Sequence, residues 1–180
     1  MFKKIFFPIL LIIACQSGYA QNSILDVGVR IQKDIGLYTE NGITINYSSK
    51  KYAPDKLYVG FSYFTSRLGT AINSNAIKQD NFLLSGAWYF RQGHLIRPLL
   101  RANLGYFSSE YPAIFSALPH QSMLLSADAG VCIQTHTPLK ITTSLGYNAI
   151  SGKGNNDVPG TLYPFFYQFT LTWNILKPAK

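Results

Sequence analysis

The chain has 180 residues, 47% of them hydrophobic and 14% aromatic but only 13% charged, and its mean hydropathy is +0.07. Globular domains carry about 25% charged residues, so a charge-poor chain with dispersed apolar and aromatic side chains is unlike a cytosolic enzyme. The formal charge is +8. In an exported chain that balance favours anionic lipid headgroups or lipopolysaccharide phosphates as partners and excludes nucleic acid.

Export is read from the first stretch, "MFKKIFFPILLIIACQSGYAQ". Lys3 and Lys4 form a charged start, Ile5 to Ala14 an apolar run, and Gly18-Tyr19-Ala20 a small-residue cleavage site, the layout of a secretory signal peptide. The run is too short to span a bilayer as a helix. Residues 1–20 are therefore expected to be removed, leaving 21–180 as one domain. Ile12-Ile13-Ala14-Cys15 offers a second site, a lipoprotein box in which Cys15 is lipidated. Loss of Lys3 and Lys4 from 16 basic residues leaves 14 against 8 acidic ones, a net charge of +6. After cleavage at Ala20 only Cys132 remains, so no internal disulfide forms, and Cys132 is expected to be a packed apolar residue.

From there apolar residues alternate with polar ones, the pattern of strands with two unlike faces. Leu25, Val27, Val29 and Ile31 take odd positions, with Asp26, Gly28, Arg30 and Gln32 between them. The odd phase continues through Ile43, Ile45 and Tyr47, then Leu57, Val59, Phe61 and Tyr63, with "KDIGLYTENG" extending either of the first two strands. It switches to even for Phe82 to Phe90 and for Ile96 to Tyr106, and returns to odd for Met123 to Ile133, Leu139 to Tyr147 and Tyr163 to Ile175. Eight segments result. Several reach the 9–11 residues that a tilted strand needs to cross a bilayer.

The links alternate in length. Residues 50–55, 91–94 and 135–138 are short, whereas 68–79, 108–121 and 151–161 are long. Tight periplasmic turns and longer outside loops sort links in this way. With a periplasmic N-terminus, Tyr47, Trp88, Phe90 and Trp173 form one aromatic girdle and Tyr63, Tyr106, Tyr147, Tyr163 and Phe165 the other.

Residues 24–176 resemble the small eight-stranded outer-membrane β-barrel proteins. The export signal, the eight alternating strands and lines such as "RPLLRANLGYF" and "FFYQFTLTWNI" carry the resemblance. It implies an all-β, antiparallel, up-and-down transmembrane barrel in the outer membrane. Family members often finish on a terminal aromatic residue read by the insertion machinery. Here "TWNIL" is followed by "KPAK", and Trp173 stands in that place.

The apolar faces are then expected to meet lipid and the polar faces to fill the interior, which in an eight-stranded barrel is just wide enough for its own side chains. The inward set comprises Asp26, Arg30, Asn46, Arg97, Arg101, Asn103, Asp128, Lys140, Gln168 and Asn174. Buried charges need partners, so Arg97 and Arg101 are expected to pair with Asp128 on the next strand. Such an interior is plugged, and a structural or surface-interaction role follows. Tyr111, Ile114, Phe115 and Leu118 in the 108–121 link are candidates for an outside partner, alongside the links 68–79 and 151–161. A narrow channel, a soluble lipocalin-like exported barrel and a lipid A-modifying enzyme are the alternatives. The last rests on His120 and Ser122 with Glu110 nearby, but some lipid A deacylases carry His-x-Ser-Asn, and Met123 stands where their Asn would be. The sequence holds no phosphate loop or metal motif, so neither a cofactor nor enzymatic activity is expected. "GKGNND", Gly152 to Asp157, reads as a solvated loop.

Overall fold

The structure, a computed structural model, describes residues 23–34, 39–49, 51, 53–70, 74–110, 121–135, 137–150 and 164–176. Eight strands form: β1 (Ser23–Asp34), β2 (Thr39–Ser49), β3 (Leu57–Thr70), β4 (Ser74–Tyr89), β5 (Ile96–Glu110), β6 (Gln121–Gln134), β7 (Leu139–Ile150) and β8 (Phe165–Asn174). Each pairs antiparallel with its chain neighbour, and β8 pairs with β1, so the sheet closes into a barrel in simple sequence order. Closure leaves no edge strand with unpaired backbone groups, the condition for a sheet in hydrocarbon.

The alternation decides which face is which. Val29, Ile43, Val59, Leu84, Leu104, Leu125 and Leu145 lie exposed on the outside, while Arg30, Thr44, Ser62, Asn103, Ser126 and Gln168 are buried inside. An apolar exterior around a polar interior is the reverse of a lipocalin-like barrel in water and is the arrangement of a barrel in a bilayer. The strands have 10–16 residues, enough to cross at a tilt.

Strand ends depart from the sequence expectation on one side. The link predicted over 68–79 is largely strand, because β3 runs to Thr70 and β4 starts at Ser74, with a register shift at Leu68/Gly69. The stretch 74–81 keeps its ladder with β3 as far as Ser74. That suits a hairpin extending beyond the lipid. Likewise 108–110 belong to β5 and Gln121 to β6. The remainder of the 108–121 link, all of 151–161, the cleavage region and Tyr163 lie outside the described residues. The barrel thus has a turn end, holding the short links and both strand termini, and a loop end.

The turns are built by left-handed residues: Asp55 (φ 55°) between β2 and β3, Arg91 (φ 50°) and Gly93 (φ 77°) between β4 and β5. Glycine adopts this region freely and aspartate tolerates it. Inside, Gly146 sits where a Cβ would press on the Phe166 ring and come within 2.7 Å of the Asp128 Cβ, so its bareness makes room for the filling side chains.

Candidate functional site: the barrel interior

The interior is stacked in three levels. At the turn end, six residues form one continuous polar chain. Lys140 Nζ donates to Asp26 Oδ2 at 2.6 Å and to the Tyr58 hydroxyl at 3.1 Å. The Tyr58 hydroxyl in turn donates to the Asp55 carboxylate. Asp55 Oδ2 accepts from Arg97 Nη1 at 2.8 Å, and Arg97 Nη2 donates to the Asp55 backbone carbonyl. Arg97 Nη1 also reaches Gln134 Oε1 at 2.6 Å. Aromatic faces support the cations: Lys140 Nζ lies 4.7 Å from the Tyr58 ring centre and the Arg97 guanidinium 5.3 Å from that of Tyr89. The two rings pack at 4.7 Å. Left-handed Asp55 presents both its carbonyl and its carboxylate to Arg97, so the β2–β3 turn is folded onto the barrel mouth.

This corrects the expected Arg97–Asp128 pairing. In the β5–β6 register Arg97 faces Cys132, and it is Arg101 that faces Asp128. Arg101 Nε and Asp128 Oδ1 lie 3.5 Å apart at the middle level. Asn103 Nδ2 donates there to Ser126 Oγ at 2.7 Å and to Asp128 Oδ2 at 3.3 Å. Arg30 reaches Ser62 Oγ at 3.4 Å, Ser62 donates to Thr44 Oγ1 at 2.8 Å, and the Arg30 guanidinium lies 4.2 Å over the Phe64 ring. Arg30 Nε and Nη2 have no hydrogen-bond acceptor among the described residues.

At the loop end stands Glu40, 2% exposed. Its carboxylate accepts from Gln32 Nε2 at 2.9 Å, Asn81 Nδ2 at 2.8 Å and Gln79 Nε2 at 3.4 Å. Beside it an apolar cluster of Phe64, Leu83 and Leu124 fills the bore, with Phe107 and Phe166 also buried.

Of the inward set, Asp26, Arg30, Arg97, Arg101, Asn103, Asp128, Lys140, Gln168 and Asn174 are buried and Asn46 is half-buried across Gly60. Sequence reasoning missed Asp55, Tyr58 and Glu40. Tyr58 and Glu40 share the inward phase of their strands, which is the signal that could have found them. Cys132 is buried at the turn end. Of the girdle residues, Tyr47, Trp88, Phe90 and Trp173 lie exposed towards the turn end and Tyr106, Tyr147 and Phe165 towards the loop end. Tyr63 is half-buried and donates to Asp80 Oδ1 at 2.9 Å. Ser122 is buried on the inward face and its hydroxyl donates to the Met123 carbonyl at 3.1 Å, while His120 is outside the described residues. Among the described residues no group of three His, Cys, Asp or Glu side chains is placed to hold a metal.

No protein-family model matches the chain, and no curated protein matches it. Solved structures do. The N-terminal β-barrel domain of Pseudomonas aeruginosa OprF aligns with TM-score 0.57 at 15% identity, covering 86% of this chain and 98% of that one. Neisserial surface protein A aligns with TM-score 0.55 at 13% identity, covering 86% and 96%. The de novo designed protein TMB2.3 aligns with TM-score 0.55 at 16% identity, covering 87% and 97%. In fold, then, the chain is an eight-stranded outer-membrane β-barrel, and its apolar exterior suits that membrane. A designed protein shares the architecture, so the fold alone assigns no biological role.

Proposed function

We propose that this protein is a non-enzymatic outer-membrane barrel with a structural or surface-interaction role and an interior plugged by its own side chains. Residues 1–20 serve as its export signal, its turn end faces the periplasm, and outer-membrane lipid, lipopolysaccharide and an extracellular partner meet it from outside. The observation that carries this reading is the Asp26–Lys140–Tyr58–Asp55–Arg97–Gln134 chain, which ties five strands and a turn across one mouth of the bore. Buried charges joined in this way are costly to separate, so the mouth stays shut. Ser122 faces the bore, away from the lipid in which an acyl chain lies, which argues against lipid A hydrolysis.

Planar-bilayer recording tests the plug. The purified protein is expected to give no steady conductance, and a persistent open level would overturn the reading in favour of a narrow channel. The unaccepted donors of Arg30 at mid-depth are what favour that second reading. Mass spectrometry of lipid A from cells with and without the protein tests the rest. An unchanged profile is expected, and a deacylated species lost on Ser122→Ala would make the protein an enzyme.

A further inference from the structure

Four buried cations fill the bore among the described residues, and three of them touch a carboxylate. Arg97 pairs with Asp55 at 2.8 Å, Arg101 with Asp128 at 3.5 Å and Lys140 with Asp26 at 2.6 Å. Arg30, 1% exposed at mid-depth, touches none among the described residues. The other buried acid, Glu40, is engaged at the loop end by Gln32, Gln79 and Asn81. A charge taken out of water needs a counter-charge in contact with it.

The contacts that Arg30 does make leave one side of it open. Its Nη1 donates to Ser62 Oγ on β3 at 3.4 Å, and the Phe64 ring covers its face at 4.2 Å. A guanidinium is planar and threefold, so the Nε–Nη2 edge points away from Nη1, and hence away from β3. Both donors on that edge lack an acceptor. It is an edge that grips an anion through two parallel N–H bonds.

In this eight-stranded ring the strand opposite β3 is β7, with β8 between it and β1. Those two strands carry two further buried polar atoms without partners, Ser144 Oγ and Gln168 Oε1. Register brings them to the same place. Arg30 faces Thr170, Gln168 lies one inward position from Thr170, and Ser144 faces Gln168. The Ser144 hydroxyl can donate. Gln168 Nε2 bonds Thr170 Oγ1 at 3.0 Å. With the amide turned over, Oε1 accepts from that hydroxyl and Nε2 joins the donors.

Water in this position would complete hydrogen bonds but leave the charge. An anion answers both needs. A small monovalent one matches a single cation in a bore filled at both ends, and a polyanion matches neither the charge nor the space.

We propose that the barrel encloses one small monovalent anion of the halide class at mid-depth, held by the Nε–Nη2 edge of Arg30 with Ser144 and Gln168. The ion is taken up as the barrel closes and becomes part of the plug, so the proposal rests on the reading of the bore as closed.

Urea unfolding of the full-length barrel in lipid vesicles tests the site, with sodium chloride exchanged for sodium gluconate at constant ionic strength. Screening is then the same in both salts, and gluconate is too bulky to enter. At a chloride concentration about ten times the dissociation constant, the folded-to-unfolded ratio of the wild type is expected to be about tenfold higher than in gluconate. Lys33→Gln, which removes an exposed cation from the same strand, is expected to keep that response. Arg30→Gln is expected to lose it, and to unfold no more readily than the wild type in gluconate. Gln168→Glu supplies a carboxylate beside Arg30 and is also expected to be indifferent to chloride. It serves where Arg30→Gln fails to show the heat-modifiable migration of a folded barrel. A wild type equally stable in both salts, the result that water alone would give, overturns the proposal. So does a chloride response that survives in Arg30→Gln or Gln168→Glu. Steady conductance in planar bilayers would instead sink the closed-bore reading, while the anion stands or falls on the salt titration.

Discussion

The two ends of the bore are filled by different chemistry. At the turn end, ionised groups neutralise one another directly and the contacts join residues as far apart as Asp26 and Lys140. At the loop end, the Glu40 carboxylate is solvated by three side-chain amides beside an apolar cluster of Phe64, Leu83 and Leu124. An ion-pair chain has little tolerance: removing one member strands another's charge in a low-dielectric interior. An amide-lined carboxylate and a hydrocarbon cluster degrade gradually. The turn end is therefore the stiff, specified mouth, and the loop end is a packed stopper.

Lys140→Met attacks the stiff end and should give the largest loss, about 3–5 kcal/mol, because Asp26 is left buried without its cation. Urea unfolding in lipid vesicles measures it. Adding Asp26→Leu should restore most of the loss, and a double variant no better than the single one would mean the ends do not differ in this way. Leu83→Ala attacks the stopper by opening a cavity and should cost about 2–5 kcal/mol by the same assay. Unlike Lys140→Met, it should leave the mouth closed, so steady conductance should stay absent in planar bilayers. Leu100→Arg leaves both ends intact and charges the lipid face, at about 2–4 kcal/mol. It should show as reduced heat-modifiable, membrane-inserted protein, and unimpaired insertion would reverse inside and outside. Glu40→Gln should cost least, about 1 kcal/mol, since a neutral amide keeps much of the hydrogen bonding. A loss as large as that of Lys140→Met would erase the contrast.

How much of this was legible follows from range. Facing is a local property, because side chains alternate strictly along a strand. Val27 and Arg30 therefore declared their sides without any knowledge of the fold. Partnership across the bore is not local. Which inward residues share a level depends on the stagger of the strands around the barrel. Arg97 and Arg101 both sit beside β6 in sequence logic, yet only Arg101 comes level with Asp128. Asp55 read as a turn residue and nothing more, since its role depends on the turn folding back onto the mouth. Ser74 to Gln79 read as part of the 68–79 link because outward alternation fades once a strand leaves the lipid, while its ladder with β3 persists. Glu40 was hidden in an ambiguous hairpin.

The closing seam has a consequence for assembly. β1 and β8 run in register from Asp26↔Asn174 to Asp34↔Phe166, so the first strand's ladder partner is made last by the ribosome. Contacts this distant in sequence slow folding, because loop-closure entropy must be met before pairing compensates it. No partial ring satisfies its two free edges in hydrocarbon. Insertion and closure are therefore expected to be a single cooperative event, and a chain cut short anywhere in β8 should stall outside the bilayer rather than insert as a smaller barrel.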